Sequence, residues 1–232
     1  MKRALVFQHM DQDHLGRFNG ILAEDGVAVD TVMLHKAGTI PSLKSYDYLF
    51  VLGGAMDVWE EEAHPWLVTE KAAIREWVQS ARPYMGICLG HQLLADAMGG
   101  KVGMAAEQEL GVYDVTRSDA DHRFFNGVAP NLTVFEWHHC EVQELPPEAV
   151  NLASSTHSAV QAMAVGDNAL GLQFHVEFDM DCIEAWQHNP AYIRAMENYL
   201  GPGSYPVVKQ KARPIMSEYD KLARRIWANL KS

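Results

Sequence analysis

Within its first hundred residues the chain alternates short apolar runs with stretches of helical periodicity, and no other feature narrows its fold as much. The runs are RALVFQ at 3–8, VAVDTVML at 27–34, YLFVL at 48–52 and PYMGI at 83–87. The first, third and fourth are apolar at consecutive rather than alternate positions, as expected of strands covered on both faces. Between the first two runs, Leu15, Phe18, Ile21 and Leu22 recur at helical spacing over residues 15–25, with Gly26 placed as a C-terminal cap. Residues 65–80 carry Trp66, Thr69, Ala72, Ala73 and Trp77 around a second helical period, and a third helix is expected over 89–98. Strands and helices alternating at these intervals call for an α/β fold, with a doubly wound, mainly parallel sheet flanked by helices. In such a sheet the ligand site lies at the carboxyl ends of the strands.

The pattern changes after residue 100. Residues 111–116, 133–137, 160–165 and 170–176 read as short strands joined by polar turns, which predicts a smaller antiparallel region. Residues 184–200 read as a helix, 201–203 break it, and 217–230 form a final amphipathic helix. A chain of 232 residues fits one sizeable domain. We place it at residues 1–200, with 201–232 a helical tail packed on that domain or extending from it.

Composition removes several function classes. The longest apolar stretches are strand-length, well short of the roughly 20 residues of a membrane helix, so no membrane partner is expected. The N-terminal apolar run of five residues is shorter than the roughly 7 to 15 of a signal peptide, so a cytoplasmic location is expected. Cys88, Cys140 and Cys182 are odd in number and widely spaced, giving neither a disulfide framework nor a CxxC pair, which suits a reducing compartment. A formal charge of −11 argues against a nucleic-acid partner. The basic residues near the C-terminus are interleaved with Glu218 and Asp220 and read as a solvated helix face.

The sharpest local feature is Gly86-Ile87-Cys88-Leu89-Gly90, set between an apolar strand and a helix. This is a nucleophile-elbow pattern with sulfur in place of the serine oxygen. A free cysteine is ordinarily a small buried hydrophobe. Flanking glycines at a strand-to-helix corner favour the other role, because they let the chain turn sharply and expose the thiol to helix amides that favour the thiolate. A thiolate needs a proton shuttle, and LGLQFHVEF at 170–178 offers His175 with Glu177 on the same face of a strand, the carboxylate orienting the imidazole. A tetrahedral intermediate needs donors: Gly53-Gly54 directly follows the third strand, and the Leu89 amide adjoins the nucleophile.

Gly53-Gly54-Ala55-Met56-Asp57-Val58, then Gly86-Ile87-Cys88-Leu89-Gly90-His91-Gln92, then Gln173-Phe174-His175-Val176-Glu177 resemble, in order and separation, three signatures of class I glutamine amidotransferases. The likeness is greatest to stand-alone proteins similar to the glutaminase domain of GMP synthase, and it covers residues 3–200. The resemblance implies a flavodoxin-like sheet and an enzyme that cleaves the side-chain amide of glutamine or another γ-glutamyl compound, without cofactor or metal. It implies Cys88 as nucleophile, His175 as proton carrier, Glu177 as its support, and the Gly54 and Leu89 amides as the oxyanion hole. Gly53, Gln92, Glu109 and His138 fall at substrate-side positions. The chain has no room for a synthetase and no nucleotide-binding loop, so the resemblance leaves two expectations: a glutaminase subunit with a separate synthetase partner, or a free-standing γ-glutamyl hydrolase.

Two departures stand out: Val176 replaces the family's usual Pro between His and Glu, and Cys140 stands where Asp is usual, which implies altered substrate recognition. Three rival readings have less support. A zinc site from His138, His139, Cys140 and His157 suffers because adjacent histidines on a strand face opposite ways. An α/β-hydrolase of the dienelactone hydrolase kind would place its acid before its histidine. A non-catalytic binding module has no need of an intact triad. Asp11, Asp13 and His14 read as a loop and helix cap, and Glu60-Glu61-Glu62 as a solvated turn.

Overall fold

The computed structural model describes residues 1–232. Strand β1 (Arg3–Gln8) forms where expected and is buried along most of its length. Eight further strands join it: β2 (Ala28–Met33), β3 (Tyr48–Val51), β4 (Tyr84–Ile87), β5 (Lys101–Arg117), β6 (Asn131–Glu144), β7 (Ala149–Ser154), β8 (Ala162–Val165) and β9 (Ala169–Leu172). They make one sheet in the order β2-β1-β3-β4-β9-β8-β7-β5-β6. Strands β2, β1, β3, β4 and β9 run parallel, and the remaining pairings are antiparallel. The fold is thus α/β, its antiparallel strands continuing the parallel sheet. Because β1 sits between β2 and β3, the chain reverses its direction of travel across the sheet there, and a crevice opens at the strand ends.

Both faces of the parallel half are covered. Ala4 and Val6 of β1 join one apolar core with helices α1 (Phe18–Glu24) and α7 (Met216–Leu230), while Leu5 and Phe7 join another with α2 (Trp66–Gln79) and α3 (Leu89–Ala97). This two-sided burial accounts for the consecutive apolar residues; each large side chain removed from water contributes about 1.5–3 kcal/mol. Helix α2 turns Leu67, Glu70, Ala73, Ile74 and Trp77 inward. Glu70 is the charged member of that apolar stripe.

Several elements differ from expectation. Strands β5 and β6 form a hairpin far longer than residues 111–116 and 133–137, with a bulge between Met104 and Glu109, because polar and glycine positions interrupt the apolar alternation. Strand β7 was not expected, since AVNLAS offers little branched or aromatic content. The helix expected over 184–200 is broken into α4 (Met180–Ala185) and α5 (Pro190–Leu200). Pro190 cannot continue a helix from upstream, and the Asn189 side chain caps the new one by accepting from the Ala191 amide at 3.0 Å. Helix α6 (Ser204–Ala212) precedes α7.

Helix α7 buries Tyr219, Ala223, Ile226, Trp227 and Leu230. Trp227 meets the Tyr48 ring edge-on at 4.8 Å, and the Tyr219 hydroxyl accepts a hydrogen bond from the Phe135 amide of β6. The basic residues of this region form surface ion pairs, Arg224 with Glu24 and Asp220, and Lys209 with Glu184. No helix is long and apolar enough to cross a membrane.

Candidate active site

Cys88 stands between β4 and α3 with φ 53° and ψ −106°, a conformation L-residues rarely adopt. The neighbouring glycines are required by close approach: a Cβ on Gly86 would lie 2.3 Å from the Gly90 carbonyl oxygen, and one on Gly90 only 2.0 Å from that of Val51. The corner is fixed by the Cys88 amide donating to Leu172 at 2.8 Å and its carbonyl accepting from the His91 and Gln92 amides at 3.0 and 3.1 Å. Negative charge developing on the sulfur meets the amide dipoles of the first turn of α3.

Strand β9 ends at Leu172, so His175 and Glu177 lie on the segment after it and not on a strand. That segment is tied down separately: the Gln173 amide donates to Gln161 at 2.8 Å and the His175 amide to Phe135 at 2.9 Å. The expected pair forms all the same. His175 Nδ1 donates to Glu177 Oε1 at 2.7 Å, which leaves Nε2 for its hydrogen bond with the Cys88 sulfur. Phe178 stacks on the imidazole at 4.1 Å and 8°, holding the ring plane. Burial works against a charged imidazole here, but the Glu177 carboxylate and the Cys88 sulfur outweigh it and raise the His175 pKa well above its usual value.

Beneath the thiol lies the turn after β3. A Cβ on Gly54 would meet Leu89 Cδ2 at 2.9 Å, so this turn abuts the start of α3. Gly53 leaves clearance for the imidazole, whose Cε1 is 3.2 Å from where its Cβ would be. The turn has a support that the sequence did not reveal. His9, after β1, donates from Nδ1 to the Gly53 carbonyl at 3.0 Å and from Nε2 to Glu70 at 2.8 Å, with Trp66 stacked on its ring. His9 and Glu70 are fully buried; burial disfavours the charged imidazole, and Glu70 more than compensates, raising the His9 pKa. An acidic residue at a core position of α2 was the signal available.

A cavity of about 360 Å³ opens on Cys88 and His175. Gln92 lines it and donates to the Cys140 carbonyl and to Gln173, each at 3.0 Å. His138 lines it too, donating from Nδ1 to Cys140 at 2.9 Å and from Nε2 to Glu109 at 2.9 Å. Glu109, expected beside the substrate, does not reach the cavity. Its carboxylate is spent on His138, on Ser155 at 2.8 Å and on Gln161 at 2.5 Å. Burial pushes that carboxyl up, but the bonds from His138 and Ser155 prevail and lower its pKa. Glu136, adjoining His138 Nε2 at 3.5 Å, has no hydrogen-bond partner, and burial followed by the charge of Glu109 raises its pKa well above the carboxylate range.

Asp13 corrects another expectation. Helix α1 is capped by Arg17 without a side-chain bond, and Asp13 instead lines the cavity, accepting from the Tyr192 hydroxyl at 2.8 Å. Burial raises its pKa despite that bond. The expected zinc set is dispersed, His138 on Glu109 and His157 on Glu107, whereas His139 and Cys140 converge on Asp57.

The family described as glutamine amidotransferase class-I matches residues 20–184 of this sequence. The chain belongs to that family. Class I amidotransferase relatives include a glutamine-hydrolyzing GMP synthase subunit of Sulfurisphaera tokodaii, 33% identical over 80% of this chain and 93% of the relative. Gamma-glutamyl peptidase 4 of Arabidopsis thaliana is 29% identical over 72% of this chain and 68% of the relative. Among solved structures, a glutamine amidotransferase from Thermotoga maritima superposes with a TM-score of 0.91 at 29% identity, covering 100% of this chain and 99% of that one. The expected amidotransferase fold is therefore the fold observed. Within this family frame, Val176 in place of Pro leaves the His175–Glu177 bond at an ordinary length. Cys140 brings a thiol to the cavity wall.

Proposed function

We propose that this enzyme hydrolyses the side-chain amide of glutamine or of a related γ-glutamyl compound through a Cys88 thioester. One observation carries the reading: a thiol on a strained strand-to-helix corner, hydrogen-bonded to an imidazole that a buried carboxylate orients, all opening on one cavity. The Cys88 sulfur attacks the carboxamide carbon, and the carbonyl oxygen takes up negative charge toward the Gly54 and Leu89 amides. His175 Nε2–H protonates the leaving nitrogen as the C–N bond breaks, releasing ammonia or an amine. His175 then removes a proton from water, which attacks the thioester; glutamate leaves and the thiol is restored. Glu177 holds the imidazole in register throughout.

Both kinds of named relative bear on the substrate. The GMP synthase subunit speaks for glutamine and a synthetase partner, and the peptidase for a free-standing hydrolase. The apolar side of the cavity, formed by Met10, Met56, Trp137, Phe178 and Tyr192, favours the second, since it suits a γ-glutamyl amide with a bulkier amine. The test is to incubate the protein alone with glutamine and a panel of γ-glutamyl amides and peptides, reading glutamate together with ammonia or amine. Turnover of at least one compound, lost in Cys88→Ala, is expected. Silence across the panel, from protein whose Cys88 still labels with a mild thiol reagent, would overturn the free-standing reading.

A further inference from the structure

Asp57, from the turn after β3, meets His139 and Cys140 of β6 at the cavity wall. His139 Nε2 donates to Asp57 Oδ1 at 2.9 Å, and the Cys140 thiol approaches the same oxygen at 3.1 Å. One nitrogen, one sulfur and one oxygen thus form a triangle with all edges within 4.8 Å. The two edges at oxygen fall within about half an ångström of the roughly 3.4–3.5 Å between ligand atoms in a tetrahedral zinc site with ordinary bond lengths. Imidazole, thiolate and carboxylate together suit zinc, whereas magnesium and calcium prefer oxygen alone. His139 is 41% exposed, so solvent reaches the triangle. Glu60, which accepts the Asp57 amide at 2.8 Å, adds negative charge nearby. A second triangle of Glu109, Glu136 and His138 has no such access; all three are buried, and Glu109 and His138 are already bonded to each other.

We propose that Asp57, His139 and Cys140 bind a divalent cation of the zinc class, with its fourth coordination position facing the cavity that Cys88 opens on. Three protein ligands leave one position for water or a substrate group. Loading transfers the Cys140 thiol proton to solvent, and no electron changes hands. Granting the function proposed above, an ion at this wall excludes the substrate and slows turnover reversibly.

The test begins in the Cys88→Ala protein, where the nucleophile is gone and turnover plays no part in the readout. Titrated with Co²⁺, it is expected to bind one ion per chain and to show thiolate-to-cobalt charge-transfer absorption in the near ultraviolet. Adding Cys140→Ser should abolish that band. Adding His139→Gln, at an exposed side chain that folding tolerates, should weaken affinity by at least about tenfold, the cost known even for outer partners of metal ligands. Absence of stoichiometric binding, a band that survives without Cys140, or indifference to His139→Gln overturns the ligand set. In active wild-type protein Zn²⁺ is expected to slow turnover and a chelator to restore it. Cobalt binding as described without zinc inhibition overturns the cavity-facing position, while an absence of all turnover counts against the proposed function and not against the metal site.

Discussion

His175 works from a segment that has left the sheet, and it owes its position to two contacts of different kinds. Its amide is held by Phe135 of β6 and its Nδ1 by Glu177. Glu177→Gln keeps the shape and removes the charge that outweighs burial, so the imidazolium is lost at lower pH. The expected result is a 10²- to 10⁴-fold fall, roughly, in kcat/KM and an alkaline limb displaced downward in its pH profile. An unmoved limb would separate Glu177 from the proton transfer. Cys88→Ala should cost at least about 10³-fold in hydrolysis with circular dichroism unchanged. Much of this was legible from residues alone, because two glycines around a cysteine and a His-x-Glu pair are local patterns. What sequence could not show was which carboxylates face the cavity: Asp13 does and Glu109 does not, an outcome decided by loop paths and by the partners Ser155 and Gln161.

At the level of elements, the site is assembled from turns that the parallel strands deliver to one edge, and each turn is braced from behind. The His9–Glu70 pair joins the turn after β1 to α2 and holds the carbonyl of Gly53. Since the folded pKa of His9 is raised, its stabilisation is complete below the unfolded value of about 6.5 and is lost as pH rises through the folded value. Denaturant midpoints followed upward from pH 6 should therefore fall more steeply for wild type than for Glu70→Gln, and parallel curves would dismiss the pair as a charged brace. Gly90→Ala drives a Cβ into the Val51 carbonyl and should destabilise by about 1–3 kcal/mol, since backbone on both sides has to move. The elements with dense branched and aromatic residues were readable in advance. The long β5–β6 hairpin and β7 were not, because their stability comes from pairing with distant strands and not from local preference.

Across the whole molecule, the C-terminal helices share a core with the sheet that carries the site. Tyr219 of α7 anchors the amide of Phe135, whose carbonyl in turn anchors His175. We propose that residues 201–232 are an integral wall of the domain. Trp227→Ala should then cost about 3–5 kcal/mol in a single unfolding transition monitored by denaturant, and a separate early transition for the helical segment would contradict it. The left-handed backbone at residue 88 has a consequence of another kind. Glycine would rest there without the steric penalty that a Cβ incurs, so Cys88→Gly should melt higher than Cys88→Ala, by about 1 kcal/mol. A lineage relieved of the need for turnover would find its readiest gain in thermal resistance at the very position where its chemistry began.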